Sequence, residues 1–489
     1  MKFHILIFGC QMNYADAARI STVLKNIWWE KVKTIEEADI IVFHTCSVKQ
    51  KAEDKIAGRL RNIPKDKKIW ITGCMVQHNL KLNNKVKKKF HPKVDAPKGN
   101  FIGNLEDINE SNINDVINDA FNPLFKTFQK KLPNLELLFR IDDLHFIPKI
   151  ITYIGYKVDE KDIQDIQHYS QLYPSVSNQV DDNRVKAAFV PVGSGCNQFC
   201  SYCIVPFARG LEVYRTVEEI VDEIEHWVNK WYIEITLLGQ IVNKHPKFDE
   251  IVKKILKIKA VKWLRYTSPY PTYYSDEILA LHETEENLCP HIHAPVQSGS
   301  NKILKAMNRW YTIEEYKEFI DKIKALKRPI SITTDMIVGF PGETEADFQT
   351  SLDLIKYAEF DMVYTGIYSS RPGTKADKNL EDDVPAEEKS RRRRVLNDVL
   401  AEISTKNNTK VVGTTMDVMI THKKWDTYIG HTVDMRNIET KDFEDEFEEA
   451  IKSALAVLAK ESDGKNIDDK DVDYILQEFP EIAFEDRLK

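Results

Sequence analysis

Cys196, Cys200 and Cys203 fall within eight residues, in the order Cys-Asn-Gln-Phe-Cys-Ser-Tyr-Cys. Three thiolates at this spacing can hold three corners of a cubane [4Fe-4S] cluster and leave the fourth iron open, whereas a four-cysteine site mainly carries electrons. Zinc is the rival reading. Structural zinc sites use CxxC-type pairs and four ligands, and no fourth cysteine or histidine lies nearby. Gly193 and Gly195 precede the triplet and let the chain bend tightly around a bulky group. An iron open on one side suits chelation of S-adenosylmethionine through its amino and carboxylate groups. One electron delivered there would cleave the sulfonium and release a 5′-deoxyadenosyl radical, which the protein must aim and shield. Tyr202, between the last two cysteines, is placed to pack near the adenine of that cofactor.

A second triad is spread over the first 74 residues. Cys10, Cys46 and Cys74 each follow a short apolar run, at 3–8, 40–44 and 68–72. Helical patterns over 15–29 and 48–62 alternate with these runs. The alternation predicts an α/β fold with a doubly wound parallel sheet. Ligands of such sheets bind at the carboxyl ends of the strands, so three cysteines there would converge. Three separate buried thiols are the alternative. Cys289 reads as a plain buried thiol.

The triplet itself needs a scaffold, and a second alternating series from about 184 to 376 supplies one. Strands are expected at 187–192, 234–238, 263–267, 291–294, 331–338 and 362–368, with helices at 217–230, 314–325 and 345–358 between them. Six such units predict an open or partial (β/α)6 barrel, whose chemistry gathers at the C-terminal ends of the strands. The triplet follows the first strand. Gln240, Gln297, Ser298 and Asp335 are expected at other strand ends, either as cofactor-pocket residues or as polar residues that cap loops. A charged helix is expected over 385–406, with the Arg391–Arg394 run on a solvated face. Two strands, 414–421 and 427–435, suggest a small β module.

The organisation expected is therefore an N-terminal domain at 1–182, a barrel at 183–405, a β module at 406–438 and a tail at 439–489. Residues 77–135 resemble an insertion, rich in Lys, Asn and Asp, and a further helix is expected near 163–173. The chain of 489 residues is 42% hydrophobic and 30% charged, with a net charge of −7. That composition belongs to a globular protein with several cores. Residues 441–489 hold 16 Asp and Glu against 7 Lys and Arg, so the acidity belongs to the tail. Basic patches elsewhere could still meet phosphates. The absence of a long apolar run excludes a membrane span, and seven unpaired cysteines point to a reducing, cytoplasmic setting.

The sequence Cys196–Cys203 followed by Ile-Val-Pro-Phe-Ala-Arg209-Gly resembles the radical S-adenosylmethionine methylthiotransferases. Phe8-Gly-Cys10-Gln-Met-Asn13, His44-Thr-Cys46-Ser, Thr72-Gly-Cys74-Met-Val-Gln, Leu237-Leu-Gly-Gln240-Ile-Val-Asn243 and Leu304-Lys-Ala-Met-Asn-Arg309 are most similar to its tRNA-modifying MiaB branch. Of an acidic pair common after Asn13 in that family, this chain keeps Asp16. The resemblance covers about 1–76 and 136–435. It implies an auxiliary [4Fe-4S] cluster on Cys10, Cys46 and Cys74 that carries sulfur, a radical cluster on Cys196, Cys200 and Cys203, and two S-adenosylmethionines per product. It implies a C-terminal RNA-binding TRAM module, which in this chain stops half way, near 438. The substrate implied is the tRNA anticodon stem-loop, methylthiolated at C2 of N6-isopentenyl-adenosine by a monomer served by a flavodoxin- or ferredoxin-like electron donor. Threonylcarbamoyl-adenosine and a ribosomal-protein aspartate are the alternative substrates within the resemblance.

Overall fold

The computed structural model describes residues 1–47, 55–56, 58–60, 62–76, 78, 130, 132–159, 187–230 and 232–441. Most of the expected 77–135 insertion, the expected helix at 163–173 and the acidic tail lie outside them, as does much of the expected helix at 48–62.

The N-terminal unit is a five-stranded sheet of β1 (Lys2–Ile7), β2 (Glu30–Lys31), β3 (Ile40–Thr45), β4 (Lys68–Gly73) and β5 (Leu135–Leu138). The strands lie in the order β2-β1-β3-β4-β5, and every pairing is parallel. A parallel sheet is covered on both faces, so its central strands read as continuous apolar runs. In β3 all six residues are buried. Its alternate side chains serve two cores. Ile40 and Val42 pack with α1 (Gln11–Asn26) and α2 (Ile147–Tyr153), while Ile41 and Phe43 pack on the other face. The structure starts α1 at Gln11, four residues earlier than the apolar pattern suggested, and ends it at Asn26. Cys10 is its N-cap, a position fixed by the turn after β1 and invisible to periodicity.

The second unit carries the six expected parallel strands. These are β6 (Ala187–Pro191), β9 (Glu234–Leu238), β10 (Trp263–Tyr266), β11 (His291–His293), β12 (Ser331–Val338) and β13 (Met362–Ile367). They form two three-stranded halves, β6-β9-β10 and β11-β12-β13, joined by a single bridge from Leu264 to Leu288. A two-residue pair, β7 (Gly193–Ser194) with β8 (Val213–Tyr214), closes the loop after β6. The covering helices include α3 (Val217–Val228), α4 (Phe248–Leu256), α5 (Asp276–Thr284), α6 (Asn301–Ala306), α7 (Ile313–Lys324), α8 (Glu345–Ala358) and α9 (Ala386–Thr409). Capping boxes start three of them: Thr216 with Glu219, Thr312 with Glu315, and Thr344 with Asp347. Alternation along the strands puts Ile235, Leu237, Leu264, Ile292 and Val363 against the helices. It leaves Glu234, Arg265, His293, Asp335 and Tyr364 on the concave face.

The expected solvated face of the arginine run is corrected at Arg392. That side chain is 6% exposed and is bound by Glu343 (2.7 Å) and Glu388 (2.7 Å), so it anchors α9 to the barrel. The C-terminal module has three antiparallel strands where two were expected: β14 (Val418–Lys424), β15 (Thr427–Thr432) and β16 (Asn437–Thr440). Four residues of alternating exposure give too short a signal to separate β16 from the acidic stretch that follows. The module is fastened at the N-terminal ends of the barrel strands. Arg265 donates to the carbonyls of Val433 (2.7 Å) and Thr432 (3.0 Å) and to Glu234 (2.8 Å). His431 meets the same Glu234 at 2.9 Å. Cys289 is a buried thiol in this seam, beside Trp263 and Met419, as expected.

Helix α1 docks on the first barrel strands. Met12 and Ala15 pack against Phe189 and Leu238. Arg19 reaches Glu223 of α3 at 3.2 Å, and Arg215 also pairs with Glu223, all three almost wholly buried. Removing one partner of a buried ionic group strands the others without counter-charge, a loss of about 3–5 kcal/mol. Glu223→Gln is therefore expected to lower the midpoint of urea unfolding and loosen the seam between the units; an unchanged midpoint would show the two guanidinium groups to be neutralised elsewhere.

Candidate functional site

The first triad sits in the loop that leaves β6. Gly195 has φ +84°, and a Cβ there would come within 2.0 Å of the Leu211 carbonyl. Only glycine allows so close an approach in that conformation. The Cys196 amide then bonds to Gly210 O at 3.1 Å. Asn197 and Glu212 exchange hydrogen bonds at 3.0 and 3.1 Å across the neck of the loop. The segment after α6 holds the loop from the other side. Ser201 bonds to the carbonyls of Met307 and Ala306, and Asn308 donates to the carbonyls of Phe199 and Gln198.

Each thiol of this triad has a donor aimed at it. The amide of Gln198 points at Cys196 Sγ (3.5 Å), the amide of Val205 at Cys203 Sγ (3.5 Å), and Arg309 Nη1 at Cys200 Sγ (3.7 Å). Burial pushes the Cys196 thiol up to about 11 and Cys203 higher still, each raised further by the charge of Cys200. A donor directed at each sulfur suits thiolates whose charge is met by a bound metal. Among the described residues, no three His, Cys, Asp or Glu converge closely enough to hold a single ion. The loop, with a donor aimed at each sulfur, fits a cubane, which presents a separate iron to each thiolate.

The second triad is assembled by strand register. Ile7, His44 and Thr72 lie side by side across β1, β3 and β4, and the cysteines follow at 10, 46 and 74. Two glycines let the turns nest. Gly9 (φ +135°) would place a Cβ 2.9 Å from the Cβ of Cys46, and Gly73 (φ +95°) would place one 2.4 Å from Thr45 O. Asn13 ties the turns together, donating to Phe8 O and Thr45 O at 3.0 Å each, while Cys10 Sγ lies 3.5 Å from its Oδ1. Burial pushes Cys74 up to about 12. Arg209 opposes that rise, and the charges of Cys46 and Cys10 add to it. The three cysteines therefore gather at one edge of the sheet, near enough for Cys46 and Cys10 to act on Cys74.

Both triads face the same barrel end. Beyond the packing of Met12 and Ala15 on Leu238, His78 bonds to Pro372 O at 2.8 Å in the loop after β13. Arg209 bonds to Asp16 at 2.6 Å. Burial would raise the Asp16 carboxyl, but Arg209 and His44 hold it down at about 2.

The other expected residues are distributed unevenly. Tyr202 packs with Ile303, Met307, Phe340 and Tyr368, forming an apolar wall beside the triplet. Gln240 follows β9, and its buried Oε1 has no hydrogen-bond partner among the described residues, as suits an acceptor facing a ligand. Gln297 adopts φ +77° and pairs through its backbone with Asp335 O and Ile337 N. Ser298 accepts from the Ser300 amide at 3.2 Å and so caps the loop. The strand-end expectation is corrected for Asp335. It sits in the middle of β12, on the concave face, 3.2 Å from His293 Nε2. Arg309, Asn13 and Arg209 were overlooked as site residues, although the motifs that contain them were noticed.

A partial barrel with this loop on its first strand defines a radical S-adenosylmethionine enzyme, with a [4Fe-4S] cluster and S-adenosylmethionine as its cofactors. The sequence profile of the Radical SAM superfamily matches residues 190–355, and that of Uncharacterized protein family UPF0004 matches residues 2–96. The fold resembles the cobalamin- and [4Fe-4S]-bound radical S-adenosylmethionine methyltransferase TsrM from Kitasatospora setae. Their TM-score is 0.50 at 12% identity, over 77% of this chain and 76% of that one. Among curated relatives, the tRNA-2-methylthio-N(6)-dimethylallyladenosine synthase of Caldicellulosiruptor saccharolyticus is 35% identical over 86% of this chain and 82% of its own length. Those of Clostridium botulinum strain Hall and Finegoldia magna are 35% and 33% identical, again over 86% of this chain. The chain belongs to this MiaB-type family of tRNA methylthiotransferases. No described helix is long and apolar enough to cross a membrane.

Gly195→Ala is expected to empty the first triad of iron, measured by iron analysis after anaerobic reconstitution, while circular dichroism stays that of the parent. Full iron content in this variant would mean that the loop closes without the left-handed turn.

Proposed function

We propose that the chain methylthiolates C2 of N6-isopentenyl-adenosine next to the tRNA anticodon, with one [4Fe-4S] cluster on Cys196, Cys200 and Cys203 and a second on Cys10, Cys46 and Cys74. The observation that supports this reading is the register of β1, β3 and β4, which brings the turns that carry Cys10, Cys46 and Cys74 together beside the loop of the first triad. A radical enzyme that only removes hydrogen has no need of a second triad. When bound, the barrel cluster with S-adenosylmethionine supplies a 5′-deoxyadenosyl radical, and the auxiliary cluster with a second S-adenosylmethionine supplies the methylated sulfur.

The protein's own residues hold and aim these groups. Backbone amides and Arg309 neutralise the first triad's thiolates, and Asn13 fixes the turns of the second. Gln240 and Gln297 face S-adenosylmethionine, beside the apolar wall that includes Tyr202, while Ser298 shapes the loop. The concave face, with His293, Asp335 and Tyr364, receives the target nucleoside. Helix α1 covers the first barrel strands and the C-terminal module packs at their N-terminal ends, so both help to enclose the barrel in which a radical must be shielded from water. Isopentenylated adenosine is favoured over threonylcarbamoyl-adenosine and over a protein aspartate by the names of the relatives and by the segments Gln11-Met12-Asn13 and Gly239–Asn243. A flavodoxin- or ferredoxin-like protein would supply the electron, and one copy of the chain contains both triads.

Anaerobically reconstituted protein is expected to bind about eight irons, from two four-iron clusters. Cys10→Ala should still cleave S-adenosylmethionine but yield no methylthiolated tRNA; product from this variant would sink the auxiliary assignment. Mass spectrometry of tRNA nucleosides from cells with and without the gene tests the substrate. Loss of the methylthio-isopentenyl-adenosine signal is expected. Loss of a methylthio-threonylcarbamoyl signal instead, or an unchanged nucleoside profile, would move the activity to one of the other two substrates.

A further inference from the structure

The loop of one triad inserts a cation among the residues that carry the other. Arg209 lies six residues beyond Cys203 and leaves the first triad's loop toward α1. Its Nη2 donates to Asp16 Oδ2 at 2.6 Å, with the two side chains 5% and 1% exposed. The same Asp16 oxygen lies 3.5 Å from Nε2 of His44, two residues before Cys46. Asp16 itself stands on the helix that Cys10 caps, and Arg209 is near enough to Cys74 to act on its thiol. One guanidinium thus bonds to the helix that Cys10 caps and, through Asp16, is linked to His44 on the strand that precedes Cys46.

Adhesion between the units does not require this contact. Apolar packing of Met12 and Ala15 on Phe189 and Leu238 covers the same seam, and the Arg19–Glu223–Arg215 set already holds α1 to α3 one turn further along. A buried ion pair gains little over well-packed apolar residues in stability. What it supplies here is position and charge. A cluster on three thiolates carries net negative charge, and its potential depends on nearby charges and hydrogen bonds.

We propose that Arg209 is a positioning residue that couples the two triads. It sets the second triad's pocket at a fixed place against the first and supplies the positive charge that a cluster bound there requires. The inference rests on the two-cluster reading above. Because Arg209 belongs to the loop that encloses the first triad, any shift of that loop would move charge at the second.

The test uses reconstituted holoenzyme with tRNA substrate and compares the parent with Arg209→Gln and Arg209→Lys. Two quantities are read: the ratio of 5′-deoxyadenosine to methylthiolated product, and the electron paramagnetic resonance spectrum of the reduced auxiliary cluster. The spectrum is recorded in a background with Cys196, Cys200 and Cys203 all changed to Ala. In Arg209→Gln the ratio is expected to rise about tenfold or more, since misplacement of reacting groups by about 1 Å can cost that much. Its auxiliary spectrum should shift, and Arg209→Lys should recover most of both. Asp16→Asn combined with Arg209→Gln buries no charge and gives the same readings if the single variant does not accumulate. An unchanged ratio and spectrum would overturn the proposal, as would a parallel fall of both products at constant ratio, which is ordinary structural damage. These outcomes presuppose about eight irons in the parent; a parent with about four overturns the two-cluster reading and this proposal with it.

Discussion

Two sets of cysteines separated by more than a hundred residues must meet at one barrel end, and the burial of α1 against the first barrel strands is the constraint that brings them there. The helix begins at Cys10, so its axis fixes the second triad. Its flank carries Asp16 and Arg19 into contact with Arg209 and Glu223. A buried carboxylate or guanidinium without its partner is costly, so each pair tolerates little sliding. Apolar packing of Met12 and Ala15 would permit several positions of the helix; the ion pairs select one.

Within each site the backbone does much of the work. Gly9, Gly73 and Gly195 occupy positions where a Cβ would strike a neighbouring turn, so only glycine lets the turns approach this closely. Amides and Arg309 then point at the sulfurs. Burial pushes the Cys74, Cys196 and Cys203 thiols up, so a bound metal would supply the charge balance for their thiolates. The barrel strands carry α1 near their C-terminal ends and the C-terminal module at their N-terminal ends. Arg265 and Glu234 fasten the module with hydrogen bonds to Thr432, Val433 and His431. The brevity of the module therefore does not leave it loose.

Local patterns were legible where chemistry and periodicity are local. The barrel strands at 234–238 and 331–338 and the helix at 345–358 coincide with the expected runs, because alternation and capping boxes are short-range signals. The first triad was legible for the same reason, as three cysteines on one loop. Signals that depend on turns were not. The start of α1 at Gln11 follows from the turn that makes Cys10 its cap, and β16 is too short for a pattern. Arg392 sits in a run of four arginines that looks solvated, yet the packing of α9 buries it against Glu343. Asp335 was assigned to a strand end because polar residues in such strands usually lie there, but it faces inward from mid-strand.

The order of residues is enough to single out six cysteines in two sets, on two alternating α/β series, with glycines beside them. Spacing and periodicity carry that much because thiolate ligation and strand–helix alternation are properties of neighbouring residues. How the sets face each other, and which charged side chains stand between them, follows from the packing of the folded chain. Arg209 and Asp16 are 193 residues apart in the chain and 2.6 Å apart in the fold. No local pattern encodes such a pairing, since it arises from how one helix buries itself on another unit's strands.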